Sequence, residues 1–420
     1  MGRSLFVWKG NRVAGQGPEG IKYVVLIGDG MADYPLRELD GRTPLEAAHT
    51  PHMDRIAACG LGLARTIPAG MEPGSDVANL SLLGYDPSIY HTGRAPLEAA
   101  SMGVELLARD VAFRMNLVTL EHRSEHEILM KSHSSGDITT QEAKPLVESL
   151  GRAMTRPGVA IYPGVAYRHL LVWDQGPEKA HTIPPHDVLD QNMAPYLNHS
   201  GDNPIPGLIR LSWGILEGEP VNRQRRSSGL QEANSIWLWG QGKAPKFPSF
   251  YEKYGLHGGV VSAVDLLKGI GIYAGFEPVH VAGATGYLDT NYRGKAEEAL
   301  KALERLDFMF VHVEAPDEAG HNGSYQEKIQ AIEAFDEKVV GGILECLSRF
   351  DDYRVMVASD HLTPVIKKTH TAEPTPFAWG SRRQLESRTG GPGFHEGNAG
   401  DSGLFFERGF DLMPAFLGLA

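Results

Sequence analysis

Apolar residues along this chain gather in short uninterrupted runs that alternate with segments of helical periodicity. The first strong run is Tyr23–Ile27, which stops at Gly28-Asp29-Gly30. Phe308–Val313 and Arg354–Ala358 are later runs of the same kind. Buried strands of a parallel sheet look like this, because both of their faces are covered. The pattern therefore predicts a buried strand at each of these places.

Segments with apolar residues three or four apart are typical of amphipathic helices. Such helices are predicted at Pro51–Ala58, Ser262–Ala274, Lys295–Leu306 and Tyr325–Leu347. Ser262 with Asp265, and Ser324 with Glu327, have the spacing of a capping box. Alternating strands and helices predict an α/β fold, with a parallel or mostly parallel sheet flanked by helices.

The middle of the chain has a different sequence pattern, in which alternating strand-like runs are separated by loops rich in Pro, Gly and His. We expect residues 105–232 to form an inserted α+β domain. Residues 21–104 and 233–420 would form the domain that carries the insert. Asn222–Ser228 is predicted to be a surface linker, and Trp237–Gly240 is predicted to return the chain to the core of the first domain.

Length and charge narrow the possible functions. A chain of 420 residues exceeds the size at which one core usually stops growing, so two structural units are expected. The formal charge of -12 argues against a nucleic-acid partner, which would require a basic surface. An anionic substrate would therefore need a locally basic pocket. Cys59 and Cys346 provide neither a disulfide framework nor a CxxC zinc motif.

The sequence carries no evident targeting segment. The apolar stretch Leu5–Trp8 near the N-terminus is short and no cleavage site follows it. No segment approaches the roughly 20 apolar residues of a membrane span. We therefore expect no membrane partner and a cytoplasmic location.

Loops that follow the predicted strands carry the residue types of a metal site. They contain Asp29, Asp317 with His321 four positions later, Asp360 beside His361, and His370 in a Pro-rich loop. Each motif alone is commonly a turn or a capping pair. Together they supply carboxylates and imidazoles to one edge of one sheet, and this mixture suits Zn²⁺ or Mn²⁺. Two ions roughly 3.5–4 Å apart would clamp a transferring phosphoryl group.

A candidate nucleophile is Ser75, where Gly74-Ser75 opens a helical run. A serine at a positive helix end lies where phosphate binds favourably, and coordination to a metal would lower the pKa of its hydroxyl. An ordinary N-cap serine is an equally good interpretation of this motif on its own.

The motifs in combination resemble a known family. They are Gly28-Asp29-Gly30-Met31, Gly74-Ser75-Asp76, Asp317-Glu-Ala-Gly-His321, Ser359-Asp360-His361 and Thr369-His370-Thr-Ala-Glu-Pro. In order and spacing they resemble those of the archaeal-type cofactor-independent phosphoglycerate mutases, which belong to the alkaline phosphatase superfamily. The resemblance implies an alkaline-phosphatase-like domain with the insert as a lid. It also implies that residues 1–20 form an N-terminal extension.

The resemblance further implies a catalytic role for each motif. Asp317, His321 and His370 would hold one divalent ion, and Asp29, Ser75, Asp360 and His361 would hold the other. The ions would be Mn, Zn, Co or Mg. Ser75 would carry the phosphoryl group while 3-phosphoglycerate and 2-phosphoglycerate interconvert, so the expected partner is a small phosphorylated substrate. The oligomeric state stays open.

Arginine side chains bind phosphate and carboxylate groups in a bidentate manner. The candidates for this role are Arg94, Arg114 and Arg168. Each is equally well explained as an ordinary domain-interface arginine. His133, His181 and His186 are further, unranked candidates.

Other functions remain open at this level. One branch of the family has been proposed to act as a homoserine kinase. Its sequence is similar to this chain at Ala263–Gly271 and Gly286–Tyr292, and this sequence looks closer to that branch. A plain phosphomonoesterase or sulfatase would need the metal site but no lid. A catalytically inactive metal-binding protein is disfavoured, because every expected ligand type is present.

Overall fold

The computed structural model describes residues 20–154, 157–198 and 203–419. The described chain divides into two compact units. Unit 1 comprises residues up to 67, 247–263 and 274 onwards, and unit 2 comprises 68–246 and 264–273. The predicted N-terminal extension of residues 1–20 lies outside the described residues, apart from Gly20.

The strands are β1 (Ile21–Gly28), β2 (Leu61–Ala64), β3 (Asp110–Ser124), β4 (Glu127–Ser132), β5 (Val159–Tyr162), β6 (Arg168–Asp174), β7 (Ser235–Gly242), β8 (Gly258–Val261), β9 (Glu277–Pro278), β10 (Phe308–Val313), β11 (Asp352–Ser359), β12 (Thr375–Ser381) and β13 (Phe405–Phe406). The α-helices are α1 (Pro44–Ala47), α2 (Pro51–Ala57), α3 (Ser75–Leu82), α4 (Pro87–Tyr90), α5 (Arg94–Ser101), α6 (Thr140–Met154), α7 (Ala194–Leu197), α8 (Ile205–Glu217), α9 (Pro220–Ser227), α10 (Phe250–Tyr254), α11 (Asp265–Tyr273), α12 (Tyr292–Leu303), α13 (Ala315–Asn322), α14 (Tyr325–Phe335), α15 (Gly342–Leu347), α16 (Arg382–Ser387), α17 (Glu396–Asp401) and α18 (Leu412–Leu417).

Unit 1 is built on an eight-stranded sheet in the order β13-β2-β12-β11-β1-β10-β8-β9. Strand β1 runs parallel to both of its neighbours, so that Gly28 pairs with Val313 of β10 and with Ser359 of β11. Only β12 runs antiparallel to its neighbours β11 and β2 within this sheet. The prediction of an α/β fold with a mostly parallel sheet is therefore confirmed.

The long helix predicted at Tyr325–Leu347 is present, but it is interrupted by a π-helical segment at Asp336–Gly341 between α14 and α15. Ser324 caps its start, accepting a hydrogen bond from the backbone N–H of Glu327. The buried Asp336 accepts hydrogen bonds from the N–H groups of His52 and Met53 at the start of α2. The irregular segment thus aims a carboxylate at a helix end that has unpaired donors.

Unit 2 contains a five-stranded antiparallel sheet, in which the long strand β3 pairs with β4, β6 and β7. Helices α6 and α8 pack beside this sheet, over a core that includes Leu146, Ile209 and Trp237. The predicted α+β character of the middle region agrees with this arrangement. The unit is larger than the predicted insert, because β7 pairs with β3 and α11 packs against α5.

Several sequence-based assignments need correction. Trp237–Gly240 lies in β7 and extends the sheet of unit 2, because its apolar side chains fill that core. The predicted linker Asn222–Ser228 lies largely within helix α9, where the buried Arg225 pairs with Glu142. Helix α11 begins at Asp265, later than predicted, and the hydroxyl of Ser262 donates a hydrogen bond to Glu314.

Within the part of the chain that the structure describes, no helix combines the length and apolar character needed to cross a membrane.

Candidate functional site

The polar residues that follow β1, β10 and β11 lie at one edge of the unit 1 sheet, because these parallel strands end in register. Gly30 has a φ of +55°, and a Cβ at this position would lie 2.4 Å from Oγ1 of Thr363 and 2.5 Å from Oδ1 of Asp317. Only glycine allows the backbone to approach so closely in this conformation. The Gly30 N–H also donates to Oδ1 of Asp360 at 2.9 Å.

One group of ligand-type side chains comprises Asp317, His321 and His370. Asp317 and His321 are one turn apart on α13, with 3.2 Å between Oδ2 and Nε2. His370 places its Nε2 3.5 Å from Oδ1 of Asp317 and 3.0 Å from Nε2 of His321. Burial lowers the pKa of His321, but Asp317 raises it more, to about 9. These side chains therefore converge on one small volume.

A second group comprises Asp29, Asp317 and His361, all buried. Nε2 of His361 lies 3.4 Å from Oδ1 of Asp29 and 3.6 Å from Oδ2 of Asp360. Burial lowers the pKa of His361 to about 4. Asp317 belongs to both groups, which therefore adjoin each other.

The site concentrates negative charge away from water. Burial raises the pKa of Asp29 well above its ordinary value, and the carboxylates of Asp360 and Asp317 raise it further. Oδ1 of Asp29 is buried without a hydrogen-bond partner among the described residues. Buried carboxylates that lack partners are costly unless they bind a cation. The donor set of carboxylates and imidazoles therefore fits divalent metal ions.

Two buried ion pairs support the site, and sequence analysis missed both of them. Glu314 pairs with Lys295, and Asp33 pairs with Lys328 with 2.7 Å between Oδ2 and Nζ. Lys328 also donates to the carbonyl groups of Ala32 and Thr363, which joins the loops after β1 and β11. No local motif marks these pairs, because Lys328 and Asp33 are 295 positions apart.

Replacing Lys328 by methionine is expected to destabilise unit 1 by about 3–5 kcal/mol, because Asp33 would remain buried without its cation. The measurement is urea denaturation followed by circular dichroism. Lys367→Met is the matched control, since Lys367 is an exposed lysine close to the same loop. A loss no larger than that of the control would show that the buried pair contributes little.

The predicted site residues divide between the two units. Unit 1 brings together Asp29, Asp317, His321, Asp360, His361 and His370. Ser75 lies in unit 2, where it is the first residue of α3 and is partly exposed, after the N-cap residue Gly74. The next residue, Asp76, is buried, and its Oδ2 lies 2.8 Å from Nε2 of His91. The contact between Asp76 and His91 therefore holds the start of α3 in place.

Two of the three predicted arginines meet in unit 2. Arg114 of β3 lies over the ring of Trp239 at 4.2 Å, and Arg94 of α5 lies 5.8 Å from the same ring. Burial lowers the pKa of Arg114 to about 10, although the carboxylate of Glu98 raises it. We call these two arginines and Trp239 the arginine cluster. Oε2 of Glu98 lies 3.0 Å from Nε of Arg114.

The third predicted arginine, Arg168, is an exposed residue of β6 whose guanidinium lies over Tyr167 at 5.5 Å. His186 contacts Trp239 at 5.3 Å between ring centroids, and His133 lies 6.3 Å from His186. His181 lines a cavity of about 880 Å³, and none of the three predicted arginines lines this cavity. Of the unranked histidines, His133 and His186 therefore lie beside the arginine cluster.

The sheet is mostly parallel, and Asp and His side chains gather where its strands end. These features are typical of α/β proteins that bind metal ions at this edge of the sheet. Comparison with known families narrows this class. The family model described as 2,3-bisphosphoglycerate-independent phosphoglycerate mutase matches residues 57–222. The model described as type I phosphodiesterase / nucleotide pyrophosphatase matches residues 192–383.

Individual relatives match over most of the chain. A Geobacter sulfurreducens protein named probable 2,3-bisphosphoglycerate-independent phosphoglycerate mutase is 50% identical over 94% of this chain and 100% of its own length. A Methanosarcina acetivorans protein named as the same mutase is 54% identical over 85% of this chain and 90% of its own length. The chain belongs to the family of 2,3-bisphosphoglycerate-independent phosphoglycerate mutases, as the motifs predicted.

Two solved structures have the same fold as this chain. A Pyrococcus horikoshii protein is 30% identical, with a TM-score of 0.77 over 96% of this chain and 98% of its own. A Thermoplasma acidophilum cofactor-independent phosphoglycerate mutase, 23% identical, has the same fold, with a TM-score of 0.61 over 95% of this chain and 100% of its own.

Proposed function

We propose that the chain interconverts 3-phosphoglycerate and 2-phosphoglycerate through a phosphoserine on Ser75, without bisphosphoglycerate and without nucleotide. The observation that carries the proposal is the convergence of Asp and His side chains from the family motifs in unit 1. Identity of 50% to a relative named as such a mutase supports the choice of substrate.

In the proposed reaction, the Ser75 hydroxyl attacks the phosphorus of 3-phosphoglycerate in line. The bond between phosphorus and the oxygen on carbon 3 breaks, and the proton of Ser75 ends on the glycerate hydroxyl. Glycerate then reorients, and its 2-hydroxyl attacks the phosphoserine and returns the proton to Ser75. Atoms and charge balance without any second phosphate donor.

We further propose that two divalent ions, chosen from Mn, Zn, Co or Mg, are held by this chain. Asp317, His321 and His370 would hold one ion. Asp29, Asp360 and His361 would hold the other together with Ser75. When bound, the ions supply positive charge that stabilises the transferring phosphoryl group. The unpartnered oxygen of Asp29 supports this assignment.

The arginine cluster is our candidate for binding the anionic groups of the substrate. The guanidinium groups of Arg94 and Arg114 lie near the ring of Trp239. This contact limits the conformational freedom of the two side chains and prepares them for bidentate contacts. Burial of Arg114 strengthens its interaction with an anion, because water screens it less. Arg168 is a weaker candidate because it is exposed. The role of the inserted domain as a lid that excludes water stays a prediction.

The test of the proposed function is turnover of 3-phosphoglycerate by the purified protein with Mn²⁺ and no nucleotide. We expect 2-phosphoglycerate to form, as followed by phosphorus NMR, with little inorganic phosphate released. Release of inorganic phosphate as the main product would instead favour a phosphomonoesterase.

A parallel reaction with homoserine and ATP under the same metal conditions tests the kinase alternative. We expect no phosphohomoserine, because the chain lacks a phosphate-cradling GxxxxGK[ST] loop. Activity toward homoserine combined with inertness toward phosphoglycerate would overturn the proposed function.

A further inference from the structure

A buried histidine outside the predicted ligand set lies against the metal-ligand groups of unit 1. His312 is a residue of β10, paired in register with Ile27 of β1, and its side chain is fully buried. Together with Asp29 and Asp360 it forms a third group of ligand-type side chains. The sequence pattern does not reveal it, because it lies inside an apolar strand, two positions before Glu314, where the following loop begins.

The distances around His312 suit ligands of a shared ion better than they suit hydrogen bonds. Its Nε2 lies 3.4 Å from Oδ2 of Asp29 and 3.9 Å from Oδ2 of Asp360. Good hydrogen bonds between nitrogen and oxygen measure about 2.7–3.2 Å. Two ligands that each bind an ion at about 2.0–2.1 Å in tetrahedral geometry lie about 3.4 Å apart.

The ring nitrogens of His312 are also without hydrogen bonds. Among the described residues, neither Nδ1 nor Nε2 has a partner of acceptable geometry, although both atoms are buried. A buried polar atom without a partner is costly, so native proteins rarely retain one without a reason. Since Nε2 points at two carboxylates of the metal-ligand groups, a cation between them is the simplest reason.

The other ring nitrogen is arranged as in histidines that bind metals. Nδ1 lies 3.4 Å from Oε1 of Glu314, since alternate residues of a strand face the same side. Glu314 is in turn fixed by Lys295 and by the hydroxyl of Ser262, which donates at 2.7 Å. The negative charge of a carboxylate facing Nδ1 favours the tautomer with its proton on Nδ1, which leaves Nε2 available for a metal.

We propose that His312 is a further metal ligand of this centre, presenting Nε2 to a divalent transition-metal ion that Asp29 and Asp360 also bind. Glu314 and Lys295 are positioning residues that hold the ring. The inference rests on the metal centre of the proposed function, but it adds a ligand that the family motifs do not supply. Mixed nitrogen and oxygen donors favour Zn²⁺, Co²⁺ or Mn²⁺ over Ca²⁺.

The test is Co²⁺ binding to the metal-stripped protein, followed by calorimetry and by the visible absorption of the bound ion. In His312→Gln we expect one ion to be lost or bound at least about 100-fold more weakly, with an altered cobalt spectrum. Glu314→Gln should still bind the ion, but with an affinity about 10–100-fold lower. His169→Gln is the control, since His169 is a buried histidine of unit 2.

Unchanged affinity and spectrum in His312→Gln, or an equal loss in His169→Gln, would overturn the inference. If the His312→Gln protein does not fold, crystals of the wild-type protein grown with Co²⁺ decide the matter. Anomalous scattering should then show an ion about 2.0–2.1 Å from Nε2 of His312, and an ion beyond bonding distance would exclude this ligand. Wild-type protein that binds no Co²⁺ would count against the whole metal centre, whereas unchanged binding in the variant would count against His312 alone.

Discussion

Ser75→Ala is expected to lower phosphoglycerate mutase activity by roughly 10⁶-fold, the scale on which removal of a nucleophile acts in other enzymes. In the proposed reaction Ser75 is the covalent carrier, and alanine offers no oxygen that could replace it. The helix should remain, because Ser75 is partly exposed and the Asp76–His91 pair still fixes the start of α3. Single-turnover kinetics with 3-phosphoglycerate measure the loss.

Ser81→Ala is a suitable control for this variant, because Ser81 is a serine of the same helix with a buried side chain. It should change stability without removing phosphoryl transfer. Mass spectrometry of wild-type protein quenched with substrate should locate the phosphate on Ser75. Phosphate on a different residue would show that another nucleophile was used.

The sequence was most informative where ligands follow buried strands. The run Phe308–Val313 coincides with β10, because a strand covered on both faces must be apolar over its whole length. The glycines and carboxylates that end these runs then fall at one sheet edge by the geometry of parallel strands. For this reason the loops that bear Asp29, Asp317 and Asp360 could be grouped before the structure was known.

Groups that depend on distant pairing could not be found in this way. The Lys328–Asp33 pair joins residues 295 positions apart in the chain, and a lysine within a helical pattern is usually a solvated one. The limits of unit 2 depend on the antiparallel pairing of β7 with β3, which no local signal specifies. His312 was hidden because a single polar residue does not alter an apolar strand pattern.

Removal of divalent ions is expected to abolish turnover, because buried carboxylates and imidazoles dominate the candidate site and the chain shows no motif for an organic cofactor. Exhaustive chelation should give inactive protein, and Mn²⁺, Co²⁺ or Zn²⁺ should restore activity. Metal content measured by mass spectrometry must accompany each assay. Full activity in protein shown to be metal-free would exclude the proposed role of the ions.

Asp317→Asn should have nearly the same effect as chelation, because Asp317 belongs both to the group with His321 and His370 and to the group with Asp29 and His361. An amide has no negative charge to offer an ion, so binding at both groups should weaken together. Glu318→Gln makes the same chemical change at the next position of α13, where the side chain is exposed. Metal content and turnover should stay near wild-type in that control and fall together in Asp317→Asn. Loss of turnover at full metal occupancy would mean that Asp317 acts in some way other than by holding the ions.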